Sequence, residues 1–121
     1  MNKTIFIDID GTILEHPVTL ANVLSTDYKP KVLPGVIDKF EEWSYNGHCI
    51  VLVTARPETL RDLTEKQLRN AGIFYHKLIM DLPHGNRYLI NDAKPHCDKT
   101  AIGFTVQRDA GIKDVYIEDQ K

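Results

Sequence analysis

Thr4-Ile5-Phe6-Ile7-Asp8-Ile9-Asp10-Gly11-Thr12 decides the fold of this chain. Thr4 to Ile9 is a β-branched run broken by one acid, and it predicts a buried strand ending at Asp10-Gly11. Two acids at i and i+2 at the end of an apolar strand are expensive to bury without a cation or hydrogen bonds. Alternate residues of a strand share a face. Asp8 and Asp10 are therefore expected to reach one site at the carboxyl end of a sheet, the usual ligand position in α/β folds. Two carboxylates held together suit a hard divalent cation, most often Mg²⁺. The competing reading is a strand-ending turn with solvated acids.

The flanking sequence supplies the grammar around that strand. Residues 15–30 have no clean period and contain Pro17 and Pro30, which predicts a loop or small flap. Pro34-Gly35 opens a helix whose apolar face is Val36, Ile37, Phe40 and Trp43, and Asn46-Gly47 stops it. Cys49 to Val53 is a near-continuous apolar run, as in a parallel strand covered on both faces. Pro57 begins a second helix with Leu60, Leu63, Leu68 and Ala71 as its stripe, ended by Gly72. Ile73 to Met80, Arg87 to Ile90 and Ala101 to Val106 predict three further strands, with a weak signal for one more element after Gly111. Alternating strands and helices imply an α/β, doubly wound parallel sheet. Only about six residues, Asp81 to Asn86, separate the third and fourth runs, where a parallel crossover takes a dozen or more. Either the third strand ends early, near Lys77, or this link is an extended segment.

The chain has 121 residues, which predicts a single domain over 1–121. Fifteen Lys and Arg against 17 Asp and Glu give a net charge of −2, without the basic excess of a nucleic-acid binder. Two cysteines far apart, and no apolar run long enough for a signal peptide or membrane span, predict a reduced, cytoplasmic protein with no membrane partner. His76, His84, His96 and Cys97 match no zinc spacing, and no G-x-G-x-x-G or Walker motif is present.

Asp8-Ile9-Asp10-Gly11-Thr12 resembles the first motif of the haloacid dehalogenase superfamily, D-x-D-G-T. Four fixed positions recur by chance in roughly one chain in a thousand of this length, so the motif is specific. The resemblance implies a three-layer sandwich with a mostly parallel five-stranded sheet and no large cap domain. It implies a Ser or Thr at the end of the second strand, which Val51-Leu52-Val53-Thr54 supplies, with Ala55-Arg56-Pro57 following as a phosphate seat. It implies a late acid after the fourth strand, and Leu89-Ile90-Asn91-Asp92 supplies Asp92, with Asn91 where members often carry a second acid. It also implies a lysine for the phosphate, here Lys77 or Lys94. The stretches Tyr75 to Met80 and Arg87 to Pro95 are similar to small capless members labelled sugar-phosphate or capsule-biosynthesis phosphatases.

The roles that follow are those the resemblance implies. Asp8 is the nucleophile that forms an aspartyl-phosphate, and Asp10 the general acid and base. Mg²⁺ is held by Asp8, the Asp10 backbone carbonyl and Asp92. Thr54 and a lysine hold the phosphoryl oxygens, with Gly11, Thr12, Arg56 and Arg87 as further substrate contacts. An acid two residues after the nucleophile points to a phosphatase acting on a small phosphorylated metabolite such as a sugar phosphate. A capless scaffold is expected to assemble as a dimer or tetramer. The alternatives are a non-catalytic phosphate- and metal-binding regulatory module, and a polynucleotide end-phosphatase, which the charge balance disfavours.

Overall fold

The computed structural model of the chain describes residues 2–19, 21–22, 25 and 27–118. Within the 15–30 loop or flap, Leu20, Val23, Leu24 and Thr26 lie outside the described residues, as do residues 119–121 of the tail.

Three strands form one parallel sheet in the order β1 (Thr4–Asp8), β2 (Cys49–Val53), β3 (Lys77–Ile79). Ile5 lies opposite Ile50, Ile7 opposite Leu52, and Leu52 opposite Leu78. Helix α1 (Val36–Tyr45) crosses from β1 to β2, and α2 (Arg61–Asn70) crosses from β2 to β3. Both crossovers step the same way across the sheet, and right-handed connections then place both helices on one face. The core agrees with this. Phe40 and Trp43 of α1, Leu68 of α2, and Ile5, Ile7, Ile50, Leu52 and Leu78 of the strands make one buried cluster. On the opposite face Val51 and Val53 of the central strand are buried, while Phe6 and Ile79 on the outer strands are well exposed.

Local sequence explains both helices. The apolar stripe of α1 buries Val36, Phe40 and Trp43. Its end is closed by two bonds, His48 N–H to Trp43 O (3.0 Å) and Gly47 N–H to Ser44 O (3.1 Å). The same pair recurs after α2, with Ile73 N–H to Leu68 O (3.0 Å) and Gly72 N–H to Arg69 O (3.1 Å). These are the two bonds of the Schellman stop, which satisfy carbonyls that the helix leaves unpaired.

Several expectations are corrected. The second helix begins at Arg61 rather than Pro57, because one 3₁₀ turn, Glu58–Leu60, comes first. Its fully buried residues are Thr64, Gln67 and Leu68, while Leu60, Leu63 and Ala71 are half-buried. The third strand spans Lys77–Ile79 only. The sheet has three strands among the described residues, not five, and the layers are two, not three. The short link between the third and fourth runs is the physical reason. A fourth parallel strand beside β1 requires the chain to return the length of the sheet and pass two strands, each step about 4.8 Å. The link is too short for this, since such a crossover takes a dozen or more residues. The run Arg87 to Ile90 instead stays in solvent, with Tyr88 86% and Ile90 89% exposed. Ile102 and Phe104 of the expected fifth strand are also exposed.

The chain then returns to the body. Asp109 N–H donates to Gly11 O (2.8 Å), and Ile112 N–H donates to Pro34 O (2.9 Å). Ile112 enters the core, and Val115 and Ile117 pack against it. Residues 112–117 therefore seal the core, and the described part of the tail after Gly111 adds no strand or helix. No helix among the described residues is long and apolar enough to cross a membrane.

The junction of residues 34 and 111 is tight enough to test. A Cβ on Gly111, where φ is +87°, would lie 2.2 Å from Pro34 O. A Cβ on Gly72, where φ is +75°, would meet nothing within 4 Å. Gly72→Ala is expected to lose about 1 kcal/mol from its left-handed backbone alone. Gly111→Ala is expected to lose about 2 kcal/mol more, because packed backbone has to move. Urea denaturation of both variants checks this, and equal losses would show that the junction is open in solution.

Candidate active site

The loops after all three strands meet at the carboxyl end of the sheet. After β1 the amides of Thr12, Ile13 and Leu14 all donate to Ile9 O, at 3.2, 3.0 and 3.1 Å, and Gly11 N–H donates to Leu14 O at 2.7 Å. This tight turn follows directly on Asp8 and Asp10. Thr54 N–H extends the ladder to Ile79 O (3.0 Å). Leu82 N–H to Thr54 O (3.2 Å) and Asp81 N–H to Arg56 O (2.8 Å) then fasten the loop after β3 to the loop after β2. The Thr54 hydroxyl accepts from Arg56 N–H (3.1 Å), and its own proton remains available to a ligand oxygen.

Arg56 is the centre of this arrangement. Its Nε donates to Asp10 Oδ2 (2.9 Å) and its Nη2 to Asp10 Oδ1 (2.7 Å), a bidentate pair. Its Nη1 donates to Thr64 Oγ1 (3.1 Å) and Gln67 Oε1 (2.8 Å) on α2. The side chains of Arg56 and Asp10 are 5% and 19% exposed. Asp8 is more open. Its Oδ2 accepts from Thr12 Oγ1 (3.3 Å) and its Oδ1 from Arg87 Nη1 (3.1 Å).

These groups face a cavity of about 600 Å³, lined among others by Asp8, Asp10, Thr54, Arg56, His84, Arg87 and Arg108. A water occupies about 30 Å³ of liquid, so the space exceeds a phosphate group several-fold and fits a small metabolite. Tyr28 of the 15–30 segment, which does not line the cavity, donates to Glu15 Oε1 (3.2 Å). Partial burial and the neighbouring Glu15 carboxylate push its hydroxyl above the usual tyrosine range, with Asp10 adding to the rise. It is therefore a protonated donor at neutral pH.

Of the residues named from sequence, Asp8, Asp10, Thr54, Arg56 and Arg87 share this cavity. Thr12 holds Asp8, and Gly11 lies beneath Arg108, whose Cγ would be 3.2 Å from a Cβ there. Lys77, Lys94 and Asp92 are not among its lining residues. Lys77 is exposed on β3 opposite Val51. Asp92 accepts from Lys94 Nζ at 2.6 Å, and its side chain is 77% exposed. Asn91 donates to Thr100 O (3.2 Å). The cause is the unformed fourth strand, which leaves Asp92 with no route to the sheet end.

The same placement decides the magnesium test. The described residues hold no group of three or more His, Cys, Asp or Glu able to bind a metal. Asp8 is paired with the Arg87 guanidinium, and Asp92 is elsewhere, paired with Lys94. The site implied by the resemblance, Asp8 and Asp92 with the Asp10 backbone carbonyl, is not assembled in this arrangement, because Asp92 lies away from the cavity.

Four participating residues escaped the sequence reading. Thr64 and Gln67 carried a signal, since both fall on the buried stripe of α2 between Leu63 and Leu68. His84 and Arg108 carried none beyond neighbouring turn residues, because only the folded chain brings them to the cavity.

No family model matches the chain, and no curated protein matches it. Among solved structures it is similar to the crystal structure of D,D-heptose 1.7-bisphosphate phosphatase from B. bronchiseptica, complexed with magnesium and phosphate. The sequence identity is 23% and the TM-score 0.47. The likeness covers 69% of this chain and 51% of the other, so this chain spans about half that protein's length.

The Arg56 cluster has a direct stability consequence. Arg56→Ala leaves a mostly buried carboxylate, a hydroxyl and an amide oxygen without their donor. A loss of about 3 kcal/mol in urea denaturation is expected. Arg56→Lys is expected to recover only part, since an ammonium cannot reproduce the fork. A loss below about 1 kcal/mol for the alanine variant would mean that the cluster is not formed.

Proposed function

We propose that this chain is a phosphomonoester hydrolase that works through an aspartyl-phosphate on Asp8, with a small phosphorylated metabolite as substrate. The observation that carries the reading is the juxtaposition of Asp8, Asp10 and Thr54 in one cavity with three guanidinium side chains.

Asp8 is the more exposed carboxylate, and it opens on the cavity. One of its oxygens attacks phosphorus while the bond from phosphorus to the leaving alcohol oxygen breaks. Asp10 enters the cycle in its acid form and supplies the proton that the alcohol takes away. A water then attacks phosphorus, the bond to Asp8 breaks, and Asp10 takes the proton from that water. Phosphate leaves and both aspartates are as they began. Arg56 holds the Asp10 carboxylate in one orientation once that proton has left. Thr54 Oγ1 and the Arg87 guanidinium are placed to meet the phosphoryl oxygens, and cationic donors there offset the repulsion between a carboxylate nucleophile and an anionic ester. No step is assigned to a metal, because the residues as arranged do not complete a site for one.

A second reading is favoured by one observation. Both carboxylates already sit in ion pairs, as suits a module that binds phosphate without turning it over.

Release of inorganic phosphate from p-nitrophenyl phosphate separates the two. The chain is expected to turn over, and Asp8→Asn to fall by about a thousandfold or more. Turnover by Asp8→Asn near that of the unsubstituted chain overturns the mechanism. Phosphate binding without turnover supports the binding module. The assay is run with magnesium and again in EDTA, which reads separately whether the guanidinium-paired carboxylates need a divalent ion.

A further inference from the structure

The cavity contains three arginines against two aspartates. Two of the arginines are committed, Arg56 to Asp10 and Arg87 to Asp8. Arg108 has no hydrogen-bond or ion-pair partner among the described residues, and the acid next to it is already used. Asp109 Oδ1 accepts from His16 N–H at 2.8 Å.

Arg108 is exposed, but its backbone is fixed in place. It sits in a turn closed by Ala110 N–H to Gln107 O (3.1 Å). That turn is fastened to the loop after β1 by Asp109 N–H to Gly11 O (2.8 Å), and Asp109 adopts φ +63° to make the contact. A non-glycine residue in that region persists where the surroundings hold it there. The stem of Arg108 crosses directly over Gly11, the residue after Asp10. An arginine whose backbone is fixed and whose guanidinium has no partner among the described residues thus lines a cavity whose two aspartates are already paired.

We infer that the substrate carries a second anionic group, a carboxylate or a second phosphate, and that Arg108 binds it. This rests on the hydrolase reading above. The scissile phosphate goes to Asp8, Thr54 and Arg87. The cavity has room beyond it, and Arg108 supplies the charge-assisted, planar donor pair that a carboxylate or phosphate takes best. Arg108 thus determines specificity, while Asp8 and Asp10 carry out the chemistry.

Matched substrates test this. 3-Phosphoglycerate and glycerol 3-phosphate differ by a carboxylate, and glucose 1,6-bisphosphate and glucose 6-phosphate by a phosphate. The full chain is expected to prefer the doubly anionic member of at least one pair by tenfold or more in kcat/KM. Arg108→Ala should remove that preference mainly through KM, and Arg108→Lys should keep part of it. The pair that responds identifies the anion. The inference is overturned if neither pair shows a preference, or if Arg108→Ala lowers both members equally. Equilibrium binding of the same four compounds to Asp8→Asn, with and without Arg108→Ala, reads the same preference without turnover. Loss of the preference in binding supports the Arg108 site even where no substrate is hydrolysed, an outcome that would overturn the hydrolase reading alone.

Discussion

The Arg56–Asp10 pair is the contact on which the rest of the site depends. Its guanidinium has five N–H donors, and four are used, two on Asp10 and one each on Thr64 and Gln67. Burying an ion pair is unfavourable unless its geometry is good and the remaining donors find acceptors. Here the geometry is bidentate, all but one donor finds an acceptor, and the acceptors come from two different segments. The loop after β1, the loop after β2 and the inner face of α2 are thereby fixed relative to one another. No amount of nonspecific apolar packing sets that register, because apolar contacts tolerate sliding and a bidentate fork does not.

This also explains why α2 is so polar. Only Leu68 among its fully buried residues is apolar. A helix with a weak apolar stripe gains little from burial alone. Thr64 and Gln67 compensate by accepting from Arg56, so the helix that covers β2 and β3 is attached to the site as much as to the core. The stability of α2 and the orientation of Asp10 therefore belong to one cooperative unit.

The legible parts of the sequence were those fixed by local rules. Cys49–Val53 is the predicted strand to the residue, and Val36–Tyr45 follows Pro34-Gly35 and stops at Asn46-Gly47 as its stripe and stop signals require. Asp8, Asp10 and Thr54 were legible because each ends a strand, and strand ends converge in any parallel sheet. The fourth and fifth strands were misread because an apolar run becomes a strand only where a partner edge is within reach. Arg87 to Ile90 has the composition but not the connection, and the misplacement of Asp92 follows from it. Arg108 was illegible for a different reason. Nothing near residue 108 announces a ligand, and its position depends on a hydrogen bond spanning about a hundred positions of the chain, from Asp109 to Gly11.

That long-range tether gives the exposed C-terminal third a definite relation to the site. Residues 83–96 and 102–105 are solvent-exposed throughout. The span is nevertheless pinned at both ends by the site loops, at Asp81–Leu82 onto Arg56 and Thr54, and at Asp109 onto Gly11 and His16. Closing a loop of this length costs only slightly more than closing a short one, so the span adds little penalty to the fold. Local stability in such a segment is greatest where it is anchored and falls away between. The basic side chains that line the cavity sit next to the anchors, Arg87 just after the first and Arg108 just before the second. A minimal sheet with helices on one face thus gathers charged groups around a cavity by tying down the ends of an open span, where other folds would use a packed layer.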